Sequence, residues 1–166
     1  MNNKKNLIWV VIILIILVVG AYFLFFQKND EFVVRDKDSF TSQQDVLDYF
    51  EQYKQAQSKD TYGGKTPEET LSLFVDALKK GDTKLASKYF ILDKQDEAKK
   101  ELDAGVESGG VNKFLEFYSF DKKNITKMGI LNLYEIEYLD ENGNGPGFVF
   151  RVKFVEESNI WKIESL

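Results

Sequence analysis

Residues 66–90 read TPEETLSLFVDALKKGDTKLASKYF and carry the start and stop signals of two consecutive helices. Thr66 offers a capping hydroxyl, Pro67 occupies the first helical position, and Glu69 follows the cap by three residues. This combination satisfies the free backbone N–H groups at a helix N-terminus. Gly81 can end the first helix in a left-handed conformation, and Asp82 or Thr83 begins a shorter second helix. An apolar stripe lies between these signals: Leu71, Phe74, Val75 and Leu78. The stretch therefore predicts two helices that pack against a core.

C-terminal to this pair, the spacing of apolar residues changes from the helical period to the period of a strand. A polar helix is predicted over residues 94–108, and one or two further helical turns surround Phe114. Alternation of apolar and polar residues then predicts strands over residues 133–139, 148–155 and 160–166, with an earlier strand within 123–131. The intervening DENGNGPG, residues 140–147, predicts a loop. Helices followed by adjacent strands with short turns favour the α+β class with an antiparallel sheet.

N-terminal to residue 66, one more helix is predicted over residues 41–58. Val46, Phe50 and Tyr53 recur at i, i+4 and i+7, and Thr41-x-x-Gln44 has the spacing of a capping box. The following DTYGGK, residues 60–65, interrupts the helix.

The segment 66–90 resembles the opening helix pair of the nuclear transport factor 2-like superfamily. Bacterial cell-envelope members of that superfamily often open with a Thr-Pro-Glu-Glu cap, an amphipathic helix, a Lys-Gly-Asp turn and a short helix that ends in Tyr-Phe. The stretch Trp161-Lys162-Ile163 resembles the usual last strand of that fold. The resemblance covers about residues 65–166 and implies a cone-shaped domain, in which a curved antiparallel sheet wraps around helices and leaves a cavity. The superfamily includes isomerases, ligand binders and assembly domains tethered by one N-terminal helix in type IV secretion machines, so the fold alone does not give the activity.

A stretch of twenty uncharged residues, LIWVVIILIILVVGAYFLFF, begins at Leu7 and ends at Phe26. A helix of this length spans about 30 Å, the thickness of the bilayer hydrocarbon. Sixteen of the residues are Leu, Ile, Val or Phe, which favours insertion by about 5–10 kcal/mol. Bulky aromatic residues follow the core where a cleaved signal would need small ones, so we expect an uncleaved single-pass anchor in the lipid bilayer. Lys4 and Lys5 precede it and favour a cytoplasmic N-terminus in the cell membrane, with the C-terminal domain outside the cytoplasm.

The sequence therefore divides into four parts. Residues 1–26 form a cytoplasmic tail and transmembrane anchor, and residues 27–40 form a linker. Residues 41–64 form a juxtamembrane helix and loop, and residues 65–166 form the α+β domain.

Composition excludes several classes of function. The chain has 22 basic and 27 acidic residues. Without Lys4 and Lys5, the part after the anchor has a net charge of −7, which disfavours nucleic acid as a partner. The absence of Cys rules out disulfides and thiol chemistry, and the absence of His removes the commonest general base and transition-metal ligand. We therefore predict no cofactor.

Aromatic side chains on the predicted strands and helices are the candidate ligand contacts. If the cone holds a cavity of several hundred Å³, these residues would line it; if not, they form an ordinary core. The candidates are Phe74, Leu78, Tyr118, Tyr134, Tyr138, Phe150, Phe154 and Trp161.

Two other patterns are weaker. Asp140-x-Asn142-x-Asn144-Gly145 matches the first half of a calcium loop, but the twelfth position holds Arg151 instead of a bidentate Glu, so we predict no metal site.

A catalytic carboxylate of the isomerase kind could come from Asp76, Glu135 or Glu137, but each lies off the apolar face of its element. We therefore predict no catalytic residue.

The sequence predicts a membrane-anchored extracytoplasmic binding or interaction module that is not catalytic. Its partners would be the bilayer and a small apolar ligand or an envelope protein, and self-association is compatible with this role. The alternatives are an assembly subunit without a small ligand and an isomerase- or dehydratase-type enzyme with a buried carboxylate.

Overall fold

The computed structural model describes residues 32–35, 37–129 and 132–166, and the predicted anchor over residues 7–26 lies outside them. The described helices are α1 (Gln43–Lys59), α2 (Pro67–Lys79), α3 (Thr83–Ser87), α4 (Gln95–Glu107) and α5 (Gly110–Ser119). The described strands are β1 (Lys123–Met128), β2 (Leu133–Leu139), β3 (Pro146–Val155) and β4 (Ile160–Ser165). Short 3-10 turns occupy Lys37–Ser39 and Leu92–Lys94. Helices followed by strands confirm the α+β class. Within the described ranges, every helix is too short or too polar to cross a bilayer.

The cap predicted for α2 is present. The Thr66 hydroxyl accepts a hydrogen bond from the Glu69 N–H at 3.1 Å, and the Glu69 carboxylate accepts one from the Lys65 N–H at 2.6 Å. Asp82 caps α3 by accepting from the Leu85 N–H at 2.8 Å. The apolar stripe of α2 is buried as predicted. The sequence signals at 66–90 therefore determine where both helices begin and which face of α2 points inward.

The four strands form one antiparallel sheet in the order β1-β2-β3-β4. One face of this sheet, which we call the core face, carries buried side chains from three strands and is packed against α2 and α5. The predicted loop at 140–147 is too long, because β3 begins at Pro146, which pairs with Leu139 across a β-bulge. The buried residues of the core face are Ile136, Tyr138, Phe150, Val152 and Ile163.

Helix α1 differs from its sequence prediction at its cap. The Ser42 hydroxyl, and not Thr41, caps the helix by accepting from the Asp45 N–H at 3.1 Å. Thr41 instead donates its backbone N–H to the Asp45 carboxylate at 3.0 Å. The predicted Thr41–Gln44 capping box is therefore wrong by one residue, because Ser42 has the extended backbone that a cap requires.

Helix α1 also buries none of its residues. Leu47 and Phe50 are 52% and 54% exposed. The helix is held at its start by Arg35, whose guanidinium lies 2.8 Å from the Asp45 carboxylate. This hydrogen bond, with the N–H of Thr41, lowers the pKa of Asp45 to about 2. The apolar periodicity of α1 therefore predicts the helix correctly, but its apolar side chains are not buried in the core.

The glycine pair after α1 is a point of close approach to β4. Gly64 accepts a hydrogen bond from the Trp161 N–H at 2.9 Å and donates its own N–H to the Thr70 hydroxyl at 2.9 Å. A Cβ atom on Gly64 would lie 2.6 Å from the Thr70 nitrogen. This contact joins the loop to the sheet, and the segment Val34–Leu166 forms one compact unit.

Candidate functional site

Four of the eight aromatic and apolar candidates are buried in the core. The Phe74 ring lies 6.0 Å from the Phe150 ring and 5.7 Å from the Phe90 ring, and Phe114 of α5 lies 5.2 Å from Phe150. These separations are those of rings in edge-to-face or tilted contact. Side chains therefore fill the space between α2, α5 and the sheet. The four buried candidates are Phe74, Leu78, Tyr138 and Phe150.

The other four candidates are partly buried around the margin of the same core. The Tyr118 ring lies 5.2 Å from the Tyr138 ring. Trp161 contacts Tyr134 at 5.2 Å and Phe154 at 5.3 Å between ring centres. The structure therefore groups all eight candidates in or beside one aromatic core, and their role as ligand contacts stays a prediction.

An open cleft of about 430 Å³ lies between α1 and the sheet. Its size is within the range of small-molecule sites. Of the eight sequence candidates, only Phe154 lines it. Polar side chains come from α1, from the 3-10 turn Leu92–Lys94, from the turn before β2, and from the end of β3 and the two residues after it. Three of them are carboxylates and one is a lysine. The lining residues are Tyr53, Gln57, Ile91, Asp93, Asn132, Lys153, Phe154, Val155, Glu156 and Glu157.

One wall of the cleft is set by a hydrogen bond between α1 and the 3-10 turn before α4. The Tyr53 hydroxyl donates to the Asp93 carboxylate. Burial, followed by the hydrogen bond to Asp93, raises the pKa of the Tyr53 phenol further above neutral pH. Gln57, one turn further along α1, lines the same cleft together with Val155 at the end of β3.

The inner end of the cleft adjoins a recess of about 10 Å³, close to the space of one water molecule. Gln57, Ile91 and Val155 line both the recess and the cleft. Ser158 also lines the recess, and its hydroxyl oxygen is buried without a hydrogen-bond partner among the described residues. The cleft therefore narrows to a polar end beside the β3–β4 turn.

Lys162 forms the floor of that recess and is 1% exposed. Its ammonium donates to the Asp60 carboxylate at 2.6 Å, to the Tyr62 carbonyl at 2.7 Å and to the Lys88 carbonyl at 2.6 Å. Burial lowers the pKa of Lys162, and Asp60 opposes that change. With three acceptors for three protons, this side chain joins the end of α1, the following loop and the residue after α3 to β4.

The carboxylates considered for catalysis lie away from the core. Asp76 is exposed, and Glu135 pairs with Arg151 at 3.3 Å on the sheet face opposite the core. Glu137 accepts from the Asn124 amide at 3.5 Å. Among the described carboxyl groups, each one with a clearly shifted pKa has it lowered by neighbouring hydrogen-bond donors. A carboxyl group that abstracts a proton in an apolar setting would instead have a raised pKa. The lowered groups are Asp45, Glu97, Asp103 and Asp121.

Hydrogen bonds within the loop explain why residues 140–145 match the first half of a calcium-binding motif. The Asp140 carboxylate accepts from the backbone N–H of Asn142 at 2.9 Å and of Asn144 at 2.7 Å. Gly143 and Gly145 adopt positive φ angles of 79° and 61°. These features are typical of a turn. Across the described ranges, no three acidic, His or Cys residues cluster as a metal site would require.

Sequence reasoning missed the residues that build the cleft, with Phe154 as the exception. Tyr53 was visible as part of an apolar helix face, but Asp93 and Lys153 carry no local signal of a shared site, since they lie on separate elements. Lys162 was equally hidden, because a lysine between Trp161 and Ile163 is typical of the solvent face of a strand.

No family model matches the chain, and neither a curated protein nor a solved structure matches it significantly.

Proposed function

We propose that this protein is a non-catalytic binding module, anchored in the cell membrane by residues 7–26 and exposed outside the cytoplasm. The support for the anchor is its length and lack of charge, and the support for the orientation is the position of Lys4 and Lys5. A nuclear transport factor 2-like relationship of residues 65–166 belongs to this proposal, and helices packed on one face of an antiparallel sheet are compatible with it.

The open cleft is the observation that carries the proposed binding role. Its lining combines the apolar side chains of Ile91 and Val155 with hydrogen-bonding groups from Gln57, Asn132 and Lys153. Binding sites for small molecules typically combine apolar surface with a few convergent polar groups. This lining favours a small polar ligand over the apolar ligand that the aromatic sequence pattern suggested.

The orientation can be tested by cysteine labelling, because the chain has no cysteine of its own. Lys100→Cys places a thiol on an exposed position of α4, and Asn3→Cys places one before the anchor. In spheroplasts, a membrane-impermeant maleimide is expected to label Lys100→Cys directly and Asn3→Cys only after lysis. The opposite pattern would show an inverted orientation, and recovery of the chain in the soluble fraction would refute the anchor.

The cleft can be tested by filling it. Lys153→Trp adds a large side chain at an exposed strand position inside the cleft, and Thr126→Trp adds the same side chain at an exposed strand position outside it. Each full-length protein is purified from its own host in detergent and analysed by native mass spectrometry. We expect a small molecule to accompany the wild type and Thr126→Trp and to be lost from Lys153→Trp. A wild type without any bound molecule, or a Lys153→Trp protein that retains it, would contradict the cleft as the binding site.

A further inference from the structure

The two outer edges of the sheet differ in how their backbone groups are satisfied. At the β4 edge, the Trp161 N–H donates to the Gly64 carbonyl and the Ile163 N–H to the Tyr89 carbonyl, each at 2.9 Å. The Ile163 carbonyl also accepts from the Ile91 N–H at 2.9 Å. The preceding loop and the segment after α3 therefore close this edge to other strands.

Strand β1 forms the opposite edge, and its pairing with β2 determines which of its backbone groups point outward. The Leu139 N–H donates to the Lys122 carbonyl at 2.9 Å, and Lys123 lies opposite Tyr138. Because hydrogen-bonded and non-hydrogen-bonded pairs alternate in an antiparallel ladder, even-numbered residues of β1 bond to β2. The N–H and carbonyl groups of Lys123, Ile125 and Lys127 therefore point away from the sheet. Within residues 32–35, 37–129 and 132–166, these outward groups have no backbone partner.

The side chains at this edge are basic in a protein that is acidic overall. Lys123 and Lys127 flank Ile125, which is 42% exposed. Lys123 lies 2.8 Å from the carboxylate of Asp121. Asp121 is itself largely exposed, and exposed pairs of this kind contribute at most about 1 kcal/mol. The edge therefore presents one apolar side chain with a lysine ammonium group on each side of it. Both ammonium groups are available for ion pairs with a partner.

This charge pattern discriminates between occupants of the edge. If two copies of β1 paired antiparallel about Ile125, Lys123 of one copy would lie directly opposite Lys127 of the other. Like charges in directly opposite positions are destabilising, and lysines on edge strands are a known device against self-pairing. A strand with acidic residues at those two positions would instead be stabilised by both lysines.

We propose that the outer edge of β1 binds an extended acidic segment of a partner protein as a fifth, antiparallel strand. The matching segment carries an apolar residue opposite Ile125 and acidic residues two positions before and after it. The main-chain hydrogen bonds supply affinity and the side chains supply specificity. This surface is separate from the cleft, so the inference does not depend on a small ligand.

The proposal is tested with the full-length, ¹⁵N-labelled chain in detergent micelles and two synthetic peptides, TETITET and TKTITKT. We expect the acidic peptide to shift the amide signals of Lys123, Ile125 and Lys127 and to slow their hydrogen exchange, with at least tenfold higher affinity than the lysine peptide. Ile125→Pro removes one outward N–H and leaves the ladder to β2 intact, because proline is tolerated where the N–H of an edge strand faces solvent. This variant is expected to lose the binding while the Leu139 amide stays protected.

A second variant keeps the test decisive if proline disturbs the strand. Lys123→Glu combined with Lys127→Glu should reverse the preference, so that TKTITKT binds more tightly than TETITET. Equal affinity for the two peptides, or an unchanged preference in the double variant, would overturn the proposal. Concentration-dependent shifts of the same amides without peptide would also overturn it, by showing that a second copy occupies the edge.

Discussion

Lys162→Met is expected to lower the free energy of unfolding by about 3–5 kcal/mol, the cost of breaking a buried ion pair by removing one partner. Methionine keeps the length of the aliphatic stem but removes the ammonium group. The Asp60 carboxylate, whose side chain is 8% exposed, would then be buried without its cation. The carbonyls of Tyr62 and Lys88 would lose a donor at the same time. The measurement is urea denaturation of residues 34–166, monitored by circular dichroism.

Lys153→Met is the matched control, because Lys153 lies opposite Lys162 in the sheet but is exposed. It should change stability by no more than about 0.5 kcal/mol. Combining Lys162→Met with Asp60→Asn removes both charges, so the pair should cost clearly less than the sum of the single substitutions. A Lys162→Met protein within about 1 kcal/mol of the wild type would contradict the cost expected for an uncompensated buried charge.

The sequence predicted those parts of the fold whose signals are local. The cap at Thr66, the apolar stripe of α2 and the alternation in β2 each determine one element from its own residues, and β2 was predicted with its observed bounds, Leu133–Leu139. The aromatic alternation also predicted which sheet face carries the core. What these residues share is a periodic pattern that only one type of element can bury.

The parts that escaped prediction depend on contacts between distant residues. Lys162 is buried because the loop at Asp60 and the backbone at Lys88 cover the second face of β4, and nothing in the neighbouring sequence indicates that cover. The cleft has the same origin, since α1 contributes Tyr53 and a separate turn contributes Asp93. Conversely, Phe50 belongs to the apolar periodicity that predicts α1, but the described residues leave it 54% exposed.

Phe74→Ala is expected to destabilise the protein by about 3–5 kcal/mol, because a buried phenylalanine is lost and a cavity remains. Phe74 is 1% exposed and makes ring contacts with Phe90, Phe114 and Phe150. It lies where α2, α5 and the sheet meet, so the surrounding rings cannot all move inward to fill the space. The measurement is again urea denaturation of residues 34–166, with a similar m-value if the same surface is exposed on unfolding.

Phe50→Ala makes the same chemical change on the exposed side of α1 and should cost no more than about 0.5 kcal/mol. The two variants together separate core packing from helix surface, and equal effects would contradict the burial described for Phe74.

The cavity in Phe74→Ala also tests the aromatic core as a ligand site. A dry apolar void of this kind binds small apolar molecules, so benzene should stabilise Phe74→Ala and leave the wild type unchanged. Stabilisation of the wild type by benzene would instead show that the native core already accepts an apolar ligand, and it would return the binding site from the cleft to the aromatic face.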